Sequence, residues 1–238
     1  PPVALGVSSS GDVFGGTQIS FGDVLGDRQV NFFASSIAQY RTFSLSMINV
    51  ARRFQFALQG FSQTEFFYGS LEGVFYDPSL APLIGRDQAI AKRSTQGGSA
   101  FAIYPFNRFR RVEFSGAAMW LSESFDSEYA DYLGSVQPQN VFRNGFIMPL
   151  SVAFVQETTV FREFGPLAGS TMRLAYENAP PIGDSLSNQT LDGDVRYYQR
   201  LGGSGVLAMR ARGYKSIGTS PNYMYFGGNS ELRGYEYL

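Results

Sequence analysis

Large apolar side chains occupy every second position in several long stretches of this sequence. Residues 42–47 read Thr-Phe-Ser-Leu-Ser-Met, and the same alternation recurs in residues 53–59 and 170–177. Successive side chains of a β-strand point to opposite faces, so a period of two predicts strands with one apolar and one polar face. Since no stretch of comparable length has convincing helical spacing, we expect an all-β protein.

The alternating runs predict about eleven strands. Their expected ranges are 2–9, 12–22, 29–38, 42–51, 53–62, 97–105, 109–121, 145–157, 168–178, 190–201 and 204–215. Many of these runs approach the ~9–11 residues of a tilted membrane-spanning strand, whereas soluble strands average nearer ~5–6 residues. A further apolar stretch, residues 66–76, either extends a strand or belongs to a loop.

The expected connections differ in length according to the end of the strands that they join. Short connections follow the even-numbered strands. From the middle of the chain onward, long connections follow the odd-numbered strands, at residues 63–96, 122–144 and 179–189. Short turns at one end and long loops at the other are typical of outer-membrane barrels. The sequence therefore predicts an antiparallel, up-and-down transmembrane β-barrel that takes in residues 1–238 as one domain.

Composition agrees with a chain that has one apolar and one polar face. Charged residues make up 16%, below the roughly 25% of typical soluble domains, while aromatic residues make up 16%. The mean hydropathy is only −0.11, so the chain is not strongly apolar overall. A soluble β-sandwich shares the glycine and aromatic content and stays open as an alternative.

A membrane barrel would require its charged strand residues to lie inside or near the strand ends. An Arg or Lys that faces lipid at the middle of the membrane costs about 2–4 kcal/mol. The residues expected on the inward, polar face are Thr42, Ser44, Ser46, Arg111, Glu113, Ser115, Arg210 and Arg212. A sandwich with one solvated face would show the same alternation.

Several classes of function are disfavoured by what the sequence lacks. It contains neither His nor Cys, which excludes Ser-His-Asp and Cys-His catalysis, thiolate metal sites and the usual zinc sites. A net charge of −1 provides no basic surface for nucleic acid. The acid pairs Asp192/Asp194 and Glu123/Asp126 are interpreted as solvated charges near loops, and residues 202–205 as a tight hairpin. We expect no enzyme activity, catalytic residue, metal or cofactor.

The most specific motif lies near the end of the sequence, where residues 226–235 read Phe-Gly-Gly-Asn-Ser-Glu-Leu-Arg-Gly-Tyr. This resembles the sixth-loop signature of the BamA-like outer-membrane assembly and translocation superfamily, also called the bacterial surface antigen family. Residues 194–210 also look like that family. The motif residues are Gly227, Gly228, Leu232, Arg233, Gly234 and Tyr235.

The resemblance implies an architecture and a location for the chain. In the family the signature follows the eleventh of sixteen strands, which agrees with the count of alternating runs. About five strands would then lie beyond Leu238, and periplasmic domains would precede the barrel. The loop would fold back into the lumen, where Arg233 either pins it or takes part in substrate handling. The implied location is the cell outer membrane.

The resemblance also implies a role in insertion, assembly or translocation of proteins, or secretion of a fused passenger. Expected partners are outer-membrane lipid, client outer-membrane proteins and periplasmic accessory subunits. In insertase members the seam between the first and last strands opens sideways, and here Val3, Leu5 and Val7 would line it. An ordinary frayed terminus is the other interpretation of this strand. A passive pore or structural surface barrel is the alternative function.

Overall fold

The computed structural model describes residues 3–7, 13–37, 40–68, 90–125, 128, 144–163, 165–203, 205–222 and 224. Two compact units divide the chain. The first comprises Pro1–Tyr104, Ser115–Met148 and Pro181–Leu186, and the second comprises Pro105–Phe114, Pro149–Pro180 and Ser187–Leu238. Among the described residues, no helix is both long enough and apolar enough to cross a membrane.

The described residues form thirteen β-strands. Their bounds are β1 Val3–Val7, β2 Val13–Gly22, β3 Arg28–Ile37, β4 Tyr40–Asn49, β5 Gln55–Tyr68, β6 Ile90–Asn107, β7 Arg110–Phe125, β8 Gly145–Ile147, β9 Leu150–Glu157, β10 Val160–Arg162, β11 Gly165–Ala179, β12 Asn188–Leu201 and β13 Gly205–Gly218. The all-β, antiparallel, up-and-down class predicted from the alternation is confirmed.

The first unit is an antiparallel meander in which strands pair in the order of the chain. It contains β1 to β5, most of β6, the second part of β7, and β8. Neighbours in this order pair from β1 through β7, and β8 adds to β7 by the pair Trp120↔Phe146 and its two neighbours. Short turns join β2 to β3, β4 to β5 and β6 to β7.

The second unit continues the same scheme within its own residues. Here β9 pairs with β11, β11 with β12, and β12 with β13, all antiparallel. The short β10 pairs with the beginning of β11, and its register shifts between Val160 and Phe161. The first part of β7 also belongs to this unit. Phe109, the residue before β7, accepts a hydrogen bond of 2.8 Å from Glu157 N at the end of β9.

Each of the eleven predicted ranges overlaps a strand, but some bounds were wrong. The eighth range is broken into β8 and β9 at Pro149, whose nitrogen has no hydrogen to donate to a ladder. The predicted connection 63–96 is wrong at both ends, because β5 continues to Tyr68, β6 begins at Ile90, and these extensions pair with each other. Likewise β7 continues to Phe125, and β10 lies where a turn was predicted.

Burial follows an unusual pattern along the strands, which β4 shows most clearly. Phe43 and Leu45 are 51% and 53% exposed, whereas Thr42 and Ser44, which alternate with them, are half-buried. Cross-strand partners share a face, and the pair Val30↔Met47 extends the exposed apolar face into β3. The apolar side chains therefore lie on the exposed side of the sheet rather than in a core.

Candidate functional site

Charged residues in β9, β11, β12 and β13 are sorted onto one face of these strands. Pairs such as Arg173↔Asp194 and Asp194↔Arg212 continue that face from strand to strand. We call it the charged face. Its charged residues are Glu157, Arg173, Glu177, Asp192, Asp194, Arg196, Arg200, Arg210 and Arg212. On the other face of the same four strands, which we call the apolar face, Lys215 is the one charged residue described.

Asp194 lies at the centre of the charged face and holds two arginines. Arg210 donates from Nε to Oδ1 at 3.0 Å and from Nη2 to Oδ2 at 2.8 Å. Arg196 donates to the same two oxygens, at 3.3 Å and 2.7 Å. Each guanidinium thus binds the carboxylate with two parallel hydrogen bonds, the strongest geometry for such a pair. One carboxylate therefore orders side chains of both β12 and β13.

Asp192, two residues earlier on β12, holds a second and looser pair of arginines. Arg173 Nη1 lies 3.4 Å from Oδ2, and Arg212 Nε lies 3.9 Å from Oδ1. The network therefore joins four arginines on β11, β12 and β13 to two aspartates. Over the whole charged face five arginines accompany four acidic residues, so its charges nearly balance.

The chain leaves β13 by turning back over the charged face. Asn222 Nδ2 donates to Glu177 Oε1 at 3.0 Å, and Asn222 N donates to Ser216 Oγ at 3.0 Å. Tyr214 Oη donates to the Asn222 carbonyl oxygen at 3.1 Å. Three hydrogen bonds thus hold Asn222 over this face.

Gly218 makes the turn possible. Its φ is +137°, and a Cβ at this position would overlap the carbonyl oxygen of Ser187. Next to it, Ser220 N donates to Ser187 O at 3.0 Å, and the Ser187 and Thr219 hydroxyls lie 3.1 Å apart. A residue with a side chain would have to move the backbone at position 218.

The first unit contains a separate and more buried ion pair. Arg93 Nε on β6 lies 2.6 Å from Glu123 Oε1 on β7, and Glu123 is 6% exposed. The backbone N–H of Glu123 donates to Asn144 Oδ1 at 2.7 Å. This pair ties two strands to the residue that precedes β8.

The interpretation of the acid pairs as solvated loop charges was wrong for three of the four residues. Asp192 and Asp194 lie inside β12, and Glu123 lies inside β7, each with an arginine partner. The fourth residue, Asp126, lies outside the described residues. Sequence inspection could have found the network, because charges at alternate positions of two adjacent predicted strands must share a face.

The residues predicted to carry function fall on different parts of the structure. The whole sixth-loop motif, Gly227, Gly228, Leu232, Arg233, Gly234 and Tyr235, lies outside the described residues. Val3, Leu5 and Val7 lie in β1, whose backbone pairs with β2 by Val3↔Thr17, Leu5↔Gly15 and Val7↔Val13. Arg111 and Glu113 share a face, as predicted, with Arg111 Nε 2.7 Å from Glu113 Oε1.

Comparisons with known proteins give no assignment. No protein-family model matches the sequence, and no curated protein matches it. Within the part of the chain that the structure describes, no group of three or more His, Cys, Asp and Glu side chains is placed to hold a metal ion.

Proposed function

We propose that this chain is part of an outer-membrane β-barrel of the BamA-like kind, which acts in insertion, assembly or translocation of proteins. One observation supports it above the others. In β9, β11, β12 and β13 nine charged residues share one face and a single lysine occupies the opposite face. Such a sheet suits lipid on one side and water on the other.

The apolar face supports the membrane location through its exposure. Its large exposed side chains on β11, β12 and β13 are Leu174, Tyr176, Leu191, Val195, Tyr197, Leu201, Leu207, Met209 and Ile217. Soluble monomers rarely expose contiguous apolar patches larger than a few hundred Å². Lipid would cover this face without a second protein layer. A β-sandwich would bury it against a second sheet, and the described residues contain no such layer over it.

Strand length is consistent with a membrane span. β12 and β13 each contain 14 residues. At about 3.3 Å per residue such a strand is about 46 Å long, and a tilt of about 45° leaves about 33 Å along the membrane normal. That exceeds the apolar band of about 25 Å on known outer-membrane barrels.

The protein-handling role is supported by the resemblance of residues 226–235 and by the path of the chain before them. Asn222 leads the chain over the charged face, whose arginines and acidic residues suit contact with a polar segment in an aqueous lumen. No covalent step is involved. The free energy would come from strand pairing and lipid burial of the client, since unpaired strand edges are costly in lipid.

The first test is membrane fractionation of the full-length protein expressed with its native signal, followed by gel mobility with and without boiling. We expect recovery in the outer membrane and a heat-dependent mobility shift. The second test reconstitutes the protein in liposomes and measures protease-protected insertion of an unfolded outer-membrane protein. Insertion no faster than in empty liposomes would contradict the role, and a soluble protein without a mobility shift would contradict the fold.

A passive pore is the second candidate function, and the charged face supports it because arginines and aspartates suit an aqueous lumen. Planar-bilayer recordings separate the two candidates. A wide, constitutive conductance together with no acceleration of client insertion would favour the pore.

A further inference from the structure

A shallow groove of about 560 Å³ crosses the apolar face of β9, β11, β12 and β13. Its floor is the cross-strand pair Gly193↔Gly213, where two adjacent strands have no side chain. Its walls include Phe154, Leu174 and Leu191. A groove of this volume falls within the range of small-molecule sites, and here nearly all of the lining is apolar.

The two glycines differ in the space above them. A Cβ on Gly193 would meet Leu174 Cδ2 at 3.3 Å, so Leu174 already leans over this half of the floor. A Cβ on Gly213 would have no atom within 4 Å. The open part of the groove therefore lies over β13.

Lys215 stands at one end of this open part. It lies two residues beyond Gly213, about 7 Å along β13, towards the end of the strand that leads into the motif segment. It also lines the groove and is exposed. A lysine near the edge of an apolar surface extends its ammonium group towards lipid headgroups and keeps its stem on apolar residues.

We propose that this groove binds one anionic phospholipid, with an acyl chain over Gly193 and Gly213 and the phosphate against Lys215 Nζ. The proposal rests on the proposed function, because the apolar face must lie in lipid. Bulk lipid is as apolar as the groove walls, so burial alone selects no lipid. A particular lipid is selected by the fit of its acyl chain to the floor, which has no side chains, and by the charge of Lys215.

An anionic lipid fits this groove better than a second copy of the chain. A two-fold contact through the groove would bring two copies of Lys215 into an apolar interface. Asp192 borders the groove, but it belongs to the charged face and is paired there with Arg173 and Arg212. A phosphate supplies the missing negative charge.

The test uses the full-length protein reconstituted in vesicles that contain equal amounts of phosphatidylglycerol and phosphatidylcholine. The protein is extracted in mild detergent, and retained lipid is measured by native mass spectrometry. We expect the unmodified protein to retain phosphatidylglycerol about fivefold over phosphatidylcholine, the selectivity that one lysine near a headgroup supplies. Lys215→Gln should abolish this preference.

Two glycine variants test the acyl-chain site. Gly213→Leu fills the open floor and should reduce total retained lipid several-fold. Gly60→Leu is the matched control, because Gly60 pairs with Leu45 on the exposed apolar face of β4 and β5 and also has open space above it. Equal retention by the two variants would overturn the site, and so would a phosphatidylglycerol preference that survives Lys215→Gln.

Heat-dependent gel mobility, measured on every variant, separates failure of this proposal from failure of the proposed function. A protein that fractionates to the outer membrane and shifts on boiling, but shows no lipid preference, would overturn the groove alone. A soluble protein without the shift would overturn both.

Discussion

Asp194→Asn tests the ion-pair network on the charged face. The change keeps the size of the side chain but removes the negative charge to which Arg196 and Arg210 donate. The side chains of Asp194 and Arg210 are 18% and 28% exposed, whereas Arg196 is 42% exposed and its pair is weakened by water. Partly exposed ion pairs contribute up to about 1 kcal/mol each, so we expect a loss of about 1–2 kcal/mol.

The assay is urea unfolding of the full-length protein in lipid vesicles, followed by tryptophan fluorescence from Trp120 and any other tryptophans. The midpoint should fall while the slope with urea stays constant, because the surface exposed on unfolding does not change. Asp184→Asn is the control, since Asp184 lies in an exposed turn and carries the same charge. If Asp194→Asn lowers stability no more than this control, the network does not stabilise the folded state.

Three further changes test other parts of the structure. Val195→Arg puts a charge on the apolar face near the middle of β12 and should lower the free energy of unfolding in lipid by about 2–4 kcal/mol, whereas a soluble protein would tolerate it at this exposed position. Gly218→Ala should destabilise by about 1–3 kcal/mol because its Cβ meets the Ser187 carbonyl, as denaturant melts would show. Arg233→Ala in the full-length protein should raise protease cleavage near residues 220–238, and unchanged digestion would argue against docking of that loop.

The up-and-down strand order could be predicted from the connection lengths, and the face of each side chain from the alternation. Phe43 and Leu45 alternate with Thr42 and Ser44, and in the structure they lie on opposite faces, as the period of two requires. The direction of burial could not be predicted in this way. Alternation shows that two faces differ, but it does not show which one is covered.

Strand ends were predicted less well where polar residues replace the apolar ones. The extension of β5 and β6 contains Thr64↔Ser94 and Glu65↔Arg93, which have no apolar period. Here the strands are joined by backbone pairing and by the hydrogen bond of 3.1 Å between the Thr64 and Ser94 hydroxyls. The sequence indicated that Asp194 shares a face with Arg196 and Arg210, but it did not give the register that brings Arg210 into contact. Arg210 lies 16 residues away and reaches Asp194 only because the β12–β13 turn sets the register Arg196↔Arg210.

The network around Asp194 closes within one hairpin, and this bears on the order in which the chain can fold. Asp194, Arg196 and Arg210 all belong to β12 and β13, which the turn at Gly202 brings together. Contacts between residues close in sequence form fast, because little loop entropy is lost. The hairpin can therefore pair its central carboxylate with both arginines before any other strand arrives.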